Sequence, residues 1–330
     1  MSVNVQSPVA ALLPSLSKIR EAQKVVYGIM QPTPQISWPL VNEALGTQVW
    51  AKHENHTPIG AFKARTAIYY AAELFRREPK IKGLITATRG NHGQSVALAG
   101  RRFGVPVTIV VPFGNSSEKN AAMRAQGGTL IEYGHDFQES REHAIRLSKE
   151  NGFHLVPAFH RDIVAGVASY WVELFEAVPD LDVVYVPIGM GSGICAACAA
   201  RNGLGRQTKI VGVVAEGAPA YALSFDAGRV IESPVTTQIA DGMACRTPDE
   251  NALAIMRENV EHVVRVSDEE IRRAMKVLFT ATHNAVEGAG AASFAAALKE
   301  KNALPGKRVG IIITGGNVDH DVFAEVLRER

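Results

Sequence analysis

The chain has 330 residues, of which 46% are apolar and 21% are charged, a composition typical of a globular protein and not of a disordered or fibrous one. At about 150 residues per domain, this length predicts two domains. Lys and Arg total 35 against 33 Asp and Glu, so the net charge of +2 gives no electrostatic reason to expect a nucleic-acid-binding protein.

Short runs rich in Val and Ile alternate with longer helix-like segments along the chain. Strands are predicted at 84–87, 107–111, 129–133, 182–186, 210–214 and 309–313, and helices at 91–103, 116–126 and 138–150. Strands of this composition are typical of parallel sheets that helices cover on both faces. The alternation of strand and helix therefore predicts an α/β fold.

The cysteines and the apolar segments limit where the protein acts. Cys195 and Cys198 form the motif C-x-x-C, but no second pair and no suitably spaced His pair accompanies it, so the segment 193–200 is interpreted as a closely packed helix of small residues. Three cysteines are too few for a disulfide framework, and reduced thiols predict a cytoplasmic protein. No secretory signal is expected in Met1–Gln23 and no membrane span anywhere, since no uncharged apolar run reaches about 18 residues.

Three glycine-bearing loops follow predicted strands, at 88–91, 187–193 and 314–317. In open α/β sheets, ligands bind just beyond the carboxyl ends of the strands. We therefore expect the three loops to contribute to one shared site.

The loop Gly189-Met190-Gly191-Ser192-Gly193 predicts an anion site, because glycines let backbone N–H groups and a helix N-terminus approach a phosphate. It lacks the six-residue spacing of the dinucleotide fingerprint and the Lys of a P-loop. A closely packed glycine turn is the alternative interpretation.

Lys63 lies among an aromatic residue and small residues, in Phe62-Lys63-Ala64-Arg65. Such surroundings can desolvate an amine, lower its pKa and make it a nucleophile toward a carbonyl. A surface lysine near the start of a helix is the ordinary alternative.

Two further loops offer hydrogen-bonding groups. Gly90-Asn91-His92 opens a predicted helix, whose free N–H groups could hold a carboxylate, with a simple N-cap at Asn91 as the alternative. Thr314 offers a hydroxyl at the end of a buried strand, and its alternative role is a turn residue satisfied by the backbone.

The order of these motifs is more specific than any one of them. Phe-Lys-x-Arg at Lys63, then Gly90-Asn91-His92, the glycine-rich loop and Thr314-Gly315-Gly316-Asn317 together resemble the pyridoxal-phosphate enzymes of the tryptophan-synthase-β fold type. Within this family, the sequence is most similar to threonine/serine dehydratases and serine racemases. The resemblance covers 33–318, and further matching stretches are 52–54, 240–242 and 287–291.

The resemblance implies a fold of two domains, each an open and mainly parallel sheet flanked by helices. It assigns 1–76 and 157–330 to a large cofactor-binding domain, and 77–156 to a small domain that carries the Gly-Asn-His loop. It also implies a homodimer, and because the chain continues only briefly after Asn317, we expect no appended regulatory domain.

The resemblance also implies roles for individual residues. Lys63 would form the Schiff base with pyridoxal 5'-phosphate, Gly189, Met190, Gly191, Ser192 and Gly193 would bind its phosphate, Thr314 its pyridine nitrogen and Asn91 its ring hydroxyl, and Phe62 would pack beside the ring. The substrate carboxylate would bind to Thr88, Arg89, Gly90, Asn91 and His92.

This arrangement implies a β-eliminating lyase. A hydroxyl on the pyridine nitrogen does not stabilise a full positive charge there, so the ring is a weaker electron sink and suits concerted loss of the β-group. With Lys63 as the base at Cα, L-threonine or L-serine would yield a 2-oxo acid and ammonia. Serine, threonine, 3-hydroxyaspartate and phenylserine all stay open as substrates.

Some positions depart from the family pattern. Arg89 stands where the racemases carry a Ser, and because Arg stays protonated, racemisation is less favoured than elimination. Arg89 is a candidate for a second substrate carboxylate, with a structural ion pair as the alternative. Only Glu216 matches a carboxylate of the metal-dependent relatives, so no metal is expected.

Three other readings stay open. A β-replacement synthase of the same fold is disfavoured by the Gly90-Asn91-His92 run, and a nicotinamide-dependent dehydrogenase by the glycine spacing. A binding protein without activity is disfavoured by the presence of both Lys63 and Thr314.

Overall fold

A computed structural model describes residues 8–329 as thirteen α-helices, ten strands and four short 3-10 helices. The helices are α1 Leu16–Tyr27, α2 Pro39–Leu45, α3 Lys63–Arg77, α4 Asn91–Phe103, α5 Ser117–Ala125, α6 Phe137–Asn151, α7 Arg161–Ala177, α8 Ser192–Gly203, α9 Ala220–Ala227, α10 Glu250–Asn259, α11 Asp268–Thr282, α12 Gly288–Lys299 and α13 His320–Arg328. The strands are β1 Gln35–Ile36, β2 Gln48–His53, β3 Leu84–Ala87, β4 Val107–Val111, β5 Thr129–Glu132, β6 His154–Leu155, β7 Val183–Pro187, β8 Lys209–Ala215, β9 His262–Val266 and β10 Arg308–Ile313.

Local sequence explains where several of these helices begin and end. Ser116 and Asp136 accept backbone N–H groups at the starts of α5 and α6, and Ser267 forms a capping box at the start of α11. Gly104 and Gly152 end α4 and α6 in the left-handed conformation, which glycine adopts without steric cost. These signals fix the helix ends that set the loop lengths around the sheets.

The larger sheet has six strands in the order β1-β2-β10-β7-β8-β9. Only the short β1 runs antiparallel, while β2, β10, β7, β8 and β9 pair in parallel. The strands β7, β8 and β10 are buried along almost their whole length, and helices α7, α8, α11 and α12 supply core residues against them. Parallel pairing brings the carboxyl ends of β2, β10 and β7 to one edge, where the loops after them meet.

The smaller sheet has four parallel strands in the order β5-β4-β3-β6. Its core includes Val96, Ile109 and Met123, which pack with residues of α3. The expectation of an α/β fold with two open and mainly parallel sheets is confirmed. All four strands fall within 77–156, but the domain bounds stay a prediction.

Several finer predictions can now be compared with the structure. The helix around Cys195 and Cys198 is present as α8, and both thiols are buried and free. Within the described residues, no helix is long and apolar enough to cross a membrane. The expectation for Met1–Gln23 lies partly outside the described residues, and the cytoplasmic location and the homodimer stay predictions.

Candidate active site

The loop before α3 and the loop after β10 are joined by backbone contacts. The Phe62 N–H donates to the Thr314 carbonyl at 2.9 Å, and Ala61 and Gly315 form an isolated β-bridge. Lys63, the first residue of α3, therefore lies beside the end of the central strand β10.

Lys63 is half-buried, and its amine has no counter-ion within residues 8–329. Its Nζ lies 5.1 Å from the centre of the Phe62 ring, and no carboxylate or hydrogen-bond acceptor among residues 8–329 pairs with it. Burial lowers the pKa of Lys63 to about 8. A larger fraction of this amine is consequently neutral near physiological pH than in an ordinary lysine, as a nucleophile or base requires. A half-buried lysine of lowered pKa differs from the surface lysine of the alternative interpretation.

The glycine-rich loop after β7 leads into α8. Gly191 is the N-cap of α8 with φ +93°, and no side chain caps this helix. A Cβ at Gly191 would lie 2.7 Å from Ala252, and one at Gly189 would lie 2.5 Å from the Gly242 carbonyl. These close approaches require glycine, as the alternative of a packed turn predicted, yet the uncapped N–H groups of α8 also make an anion site.

Two aromatic side chains hold this loop in place. The Trp171 Nε1–H donates to the Gly193 carbonyl at 3.1 Å, and the Tyr221 hydroxyl donates to the Met190 carbonyl at 3.1 Å. Ser192 is buried in the same turn. These two hydrogen bonds hold the loop by its carbonyl groups, and no side chain caps the N-terminus of α8.

The Gly90-Asn91-His92 loop of the smaller sheet begins α4. Thr88 is buried, and its Oγ1 accepts the Gly90 N–H at 3.1 Å, so the free donors at this terminus are the N–H groups of Asn91 and His92. Asn91 is not an N-cap, contrary to the alternative interpretation. Its Nδ2 donates to Glu287 at 2.8 and 3.2 Å, and its Oδ1 accepts from Asn317 at 2.7 Å. These contacts join the two sheets at the site.

His92 and Thr314 add an imidazole and a hydroxyl of different character. Burial, and next the nearby charge of Lys63, lower the pKa of His92 to about 3, so this imidazole is neutral at physiological pH. Thr314 is 6% exposed, and its hydroxyl makes no hydrogen bond within residues 8–329. The expected alternative, a Thr314 hydroxyl satisfied by the backbone, is therefore wrong.

Arg89 lies at the mouth of a cleft between the two sheets. Its side chain is exposed and forms no ion pair within the described part of the chain, so the alternative of a structural ion pair is not supported by any contact there. The cleft is also lined by Gly114, Asn115, Ser116, Lys119, Gln238, Ile239, Asp241, Glu287, Gly288, Asn317, Val318, Asp319 and Val322.

Sequence reasoning missed four charged residues of this cleft, which are Lys119, Asp241, Glu287 and Asp319. The stem of Lys119 lies over Gly90, where an added Cβ would be 3.0 Å away, and its ammonium pairs with Asp241. Glu287 is 4% exposed and bonds Asn91. In the sequence, Asp241 and Glu287 are marked only by the family-like stretches 240–242 and 287–291, which indicate no role for either residue. Within residues 8–329, no group of three or more His, Cys, Asp or Glu side chains is arranged to hold a metal ion.

The site fits a phosphorylated aldehyde cofactor. It combines a half-buried lysine of lowered pKa at Lys63, a glycine cradle at an uncapped helix N-terminus and an unbonded hydroxyl at Thr314. An amine can bond an aldehyde, the cradle suits a phosphate, and the hydroxyl suits a ring nitrogen.

Comparisons with known proteins agree with this chemistry. The family model described as pyridoxal-phosphate dependent enzyme matches residues 26–315. L-threo-3-hydroxyaspartate ammonia-lyase of Saccharomyces cerevisiae is 34% identical over 317 residues, which are 96% of this chain and 97% of that protein. L-threonine ammonia-lyase of Thermotoga maritima is 32% identical over 316 residues, covering 96% and 78% respectively. The structure of maize serine racemase superposes with a TM-score of 0.87 at 30% identity, covering 94% of this chain and 96% of that one.

Proposed function

The chain belongs to the family of pyridoxal-phosphate-dependent enzymes, and we propose that it eliminates the β-group of a β-hydroxy amino acid, with L-threonine or L-serine giving a 2-oxo acid and ammonia. The observation that carries this proposal is the half-buried Lys63, whose amine has a lowered pKa and no partner within residues 8–329, at the meeting point of the loops. The similarity to two ammonia-lyases over 96% of the chain supports the same class of reaction.

Pyridoxal phosphate, when bound, supplies an electron sink that stabilises negative charge at the substrate Cα. Lys63 would hold the cofactor, and its Nζ, once the substrate amine has displaced it, would take the Cα proton. An amine with a pKa of about 8 is suited to this task, because a base works best when its pKa is near the working pH.

The other side chains bind and orient. The backbone N–H groups from Gly189 to Gly193 would hold the cofactor phosphate, and the Thr314 hydroxyl would meet the ring nitrogen. Asn91 would meet the ring hydroxyl, while the N–H groups of Asn91 and His92 would receive the substrate carboxylate. Phe62, whose ring is near Lys63, would pack beside the cofactor ring and exclude water from it.

Elimination is preferred to racemisation, another reaction of enzymes with this fold. A racemase needs an acid on the face opposite Lys63, and the permanently protonated guanidinium of Arg89 cannot exchange a proton there. Racemases remain among the similar structures, so residual racemisation is the alternative outcome to measure.

A dicarboxylic substrate is the second candidate, and Arg89 favours it. Arg89 follows Thr88 at the loop expected to bind the α-carboxylate, and it has no carboxylate partner within residues 8–329. A guanidinium in that position suits a second carboxylate, such as that of 3-hydroxyaspartate.

The test is release of 2-oxo acid and ammonia from serine, threonine, 3-hydroxyaspartate and phenylserine. Lys63→Ala should lower the elimination rate by about 10²-fold to 10⁴-fold, because the base is removed. Lys80→Ala, on an exposed turn, is the matched control and should keep the wild-type rate. Turnover of none of the four substrates by the loaded protein, or unchanged turnover by Lys63→Ala, would overturn the proposal.

A further inference from the structure

Glu287 is a buried carboxyl of the cleft to which the reaction above gives no role. It immediately precedes α12 and is 4% exposed. Its oxygens accept the Asn91 Nδ2–H at 2.8 and 3.2 Å, while Asn317 donates to the Asn91 Oδ1 at 2.7 Å. The Asn91 amide is thus fixed from both ends, with its nitrogen toward Glu287.

The loop after β10 fixes the Glu287 side chain in turn. The Glu287 N–H donates to the Gly315 carbonyl at 3.1 Å. A Cβ at Gly315 would lie 2.5 Å from the Glu287 Oε1, so only glycine leaves room for the carboxyl there. Glu287 is therefore seated between Asn91 and the same loop that carries Thr314.

The charged groups that face Glu287 come from several elements. Lys119 lies on α5, Asp241 begins the 3-10 turn Asp241–Met243, and Arg89 and Asp319 line the cleft beside them. Burial, followed by the charge of Asp241, raises the pKa of Glu287 to about 7, while Lys119 opposes the rise. Glu287 therefore changes charge in the neutral range.

We propose that Glu287 is a positioning residue that orients the Asn91 amide at the start of α4. When Glu287 carries a proton, it strengthens the binding of a carboxylate at this helix N-terminus. The proposal takes the location of the bound carboxylate from the proposed function. An ionised Glu287 places a negative charge beside the same amide and repels an anion, whereas a protonated one does not. Because the anion favours the protonated form, binding takes up a proton and weakens as the pH rises through 7.

The test is calorimetric titration of the cofactor-loaded protein with propanoate, from about pH 6 to about pH 8.5. Wild type should bind propanoate roughly tenfold more weakly at the upper end, since each pKa unit of coupling corresponds to about a factor of ten. Glu287→Gln, which keeps the size and the acceptor oxygen, should bind with the low-pH affinity throughout. Glu269→Gln, an exposed carboxyl on α11, is the control and should follow wild type.

A second variant moves the pH midpoint without touching Glu287. Asp241→Asn removes the charge that raises the pKa of Glu287 and frees Lys119, so the midpoint should fall. The proposal is overturned if wild type does not bind propanoate, if Glu287→Gln keeps the wild-type pH dependence, or if the Asp241→Asn midpoint does not fall. A protein with the expected binding profile that releases no ammonia would instead refute the proposed elimination alone.

Discussion

Lys63 lies in surroundings that differ from those of an ordinary surface lysine. Its amine is desolvated beside Phe62, and no anion in the described part of the chain balances a positive charge there. An unpaired buried charge costs free energy, and proteins tolerate such a cost chiefly where function requires it. The fold thus destabilises the charged form of the lysine that the sequence motif indicates.

Lys63→Met is expected to stabilise the cofactor-free protein at neutral pH. Burial lowers the Lys63 pKa from 10.5 to about 8, so between these values the unfolded state binds more protons and stability rises with pH. At about pH 7 the charged lysine lowers the free energy of unfolding by about 3 kcal/mol, a loss that methionine avoids. At about pH 10.5 this difference in stability between Lys63→Met and wild type should have largely vanished.

Denaturant unfolding at the two pH values measures this difference in the free energy of unfolding. Lys80→Met, at an exposed turn, should change it by less than about 0.5 kcal/mol. A Lys63→Met protein that is less stable than wild type at neutral pH would contradict the prediction.

Arg89→Ala is expected to change the choice of substrate. If Arg89 binds a β-carboxylate, 3-hydroxyaspartate should exceed threonine in kcat/KM, and the variant should reverse that order. A charge-assisted hydrogen bond is worth roughly 1.5–3 kcal/mol, which corresponds to a change in the ratio of at least about tenfold. Arg102→Ala, at the exposed end of α4, should leave the ratio as in wild type. An unchanged ratio in Arg89→Ala would exclude the role.

At the scale of elements, the sequence predicted the strands that are rich in Val and Ile, including the edge strand β5, but it missed the interior strand β2. The buried Val-rich and Ile-rich runs at 84–87 and 107–111 match β3 and β4 to the residue. The edge strands β1 and β6 have two residues each, which is too short to show a hydrophobic pattern in the sequence. The strand β9 is partly exposed, so it lacks the continuous apolar run of a buried strand. Glu287 was missed as a site residue because its role comes from Asn91, which lies 196 positions away in the chain.

Gly191→Ala tests the loop that begins α8. The φ of +93° disfavours a side chain, and an added Cβ would approach Ala252 and the Tyr221 hydroxyl within 3 Å. Gly205→Ala is the control, since it also has positive φ but no atom within 4 Å. Both variants should lose about 1–2 kcal/mol of stability from the backbone, and only Gly191→Ala should also weaken cofactor affinity. Equal cofactor affinities in absorbance titrations would remove the loop from the cofactor site.

Arg65→Met tests the buried ion network that anchors α3. The Arg65 guanidinium contacts Glu54 at 2.8 Å and Glu173 at 2.6 Å, and Lys52 contacts Glu173 at 2.5 Å. Removing one member leaves carboxylates buried with too few partners, so the variant should lose about 3–5 kcal/mol in the free energy of unfolding. Arg102→Met, an exposed control, should lose less than about 0.5 kcal/mol. A small loss in Arg65→Met, seen in urea unfolding, would show that the network does not anchor the helix.

For the molecule as a whole, side chains that cross between the two sheets assemble the site. Besides the Asn91–Asn317 bond and the Lys119–Asp241 ion pair, the Ser116 hydroxyl donates to Asp319 at 2.6 Å. The order of motifs predicted which loops share the site, since each follows a strand. It could not predict these cross-sheet pairs, because they depend on how two separate sheets pack against each other.

The implied homodimer is a prediction at the same scale. Sedimentation equilibrium of the cofactor-loaded protein should give about twice the 35.5 kDa of one chain. A mass of one chain at micromolar concentration would exclude the dimer without affecting the site.

Borohydride reduction of the cofactor-loaded protein, followed by peptide mapping, tests most directly whether Lys63 carries the cofactor. The reduction should fix the cofactor to the peptide that contains Lys63, and Lys63→Ala should yield no such product. Lys119 provides an internal control, because it lies in the same cleft but is paired with Asp241. Label on Lys63 is the predicted result, while label on Lys119, on another lysine or on none would contradict the assignment.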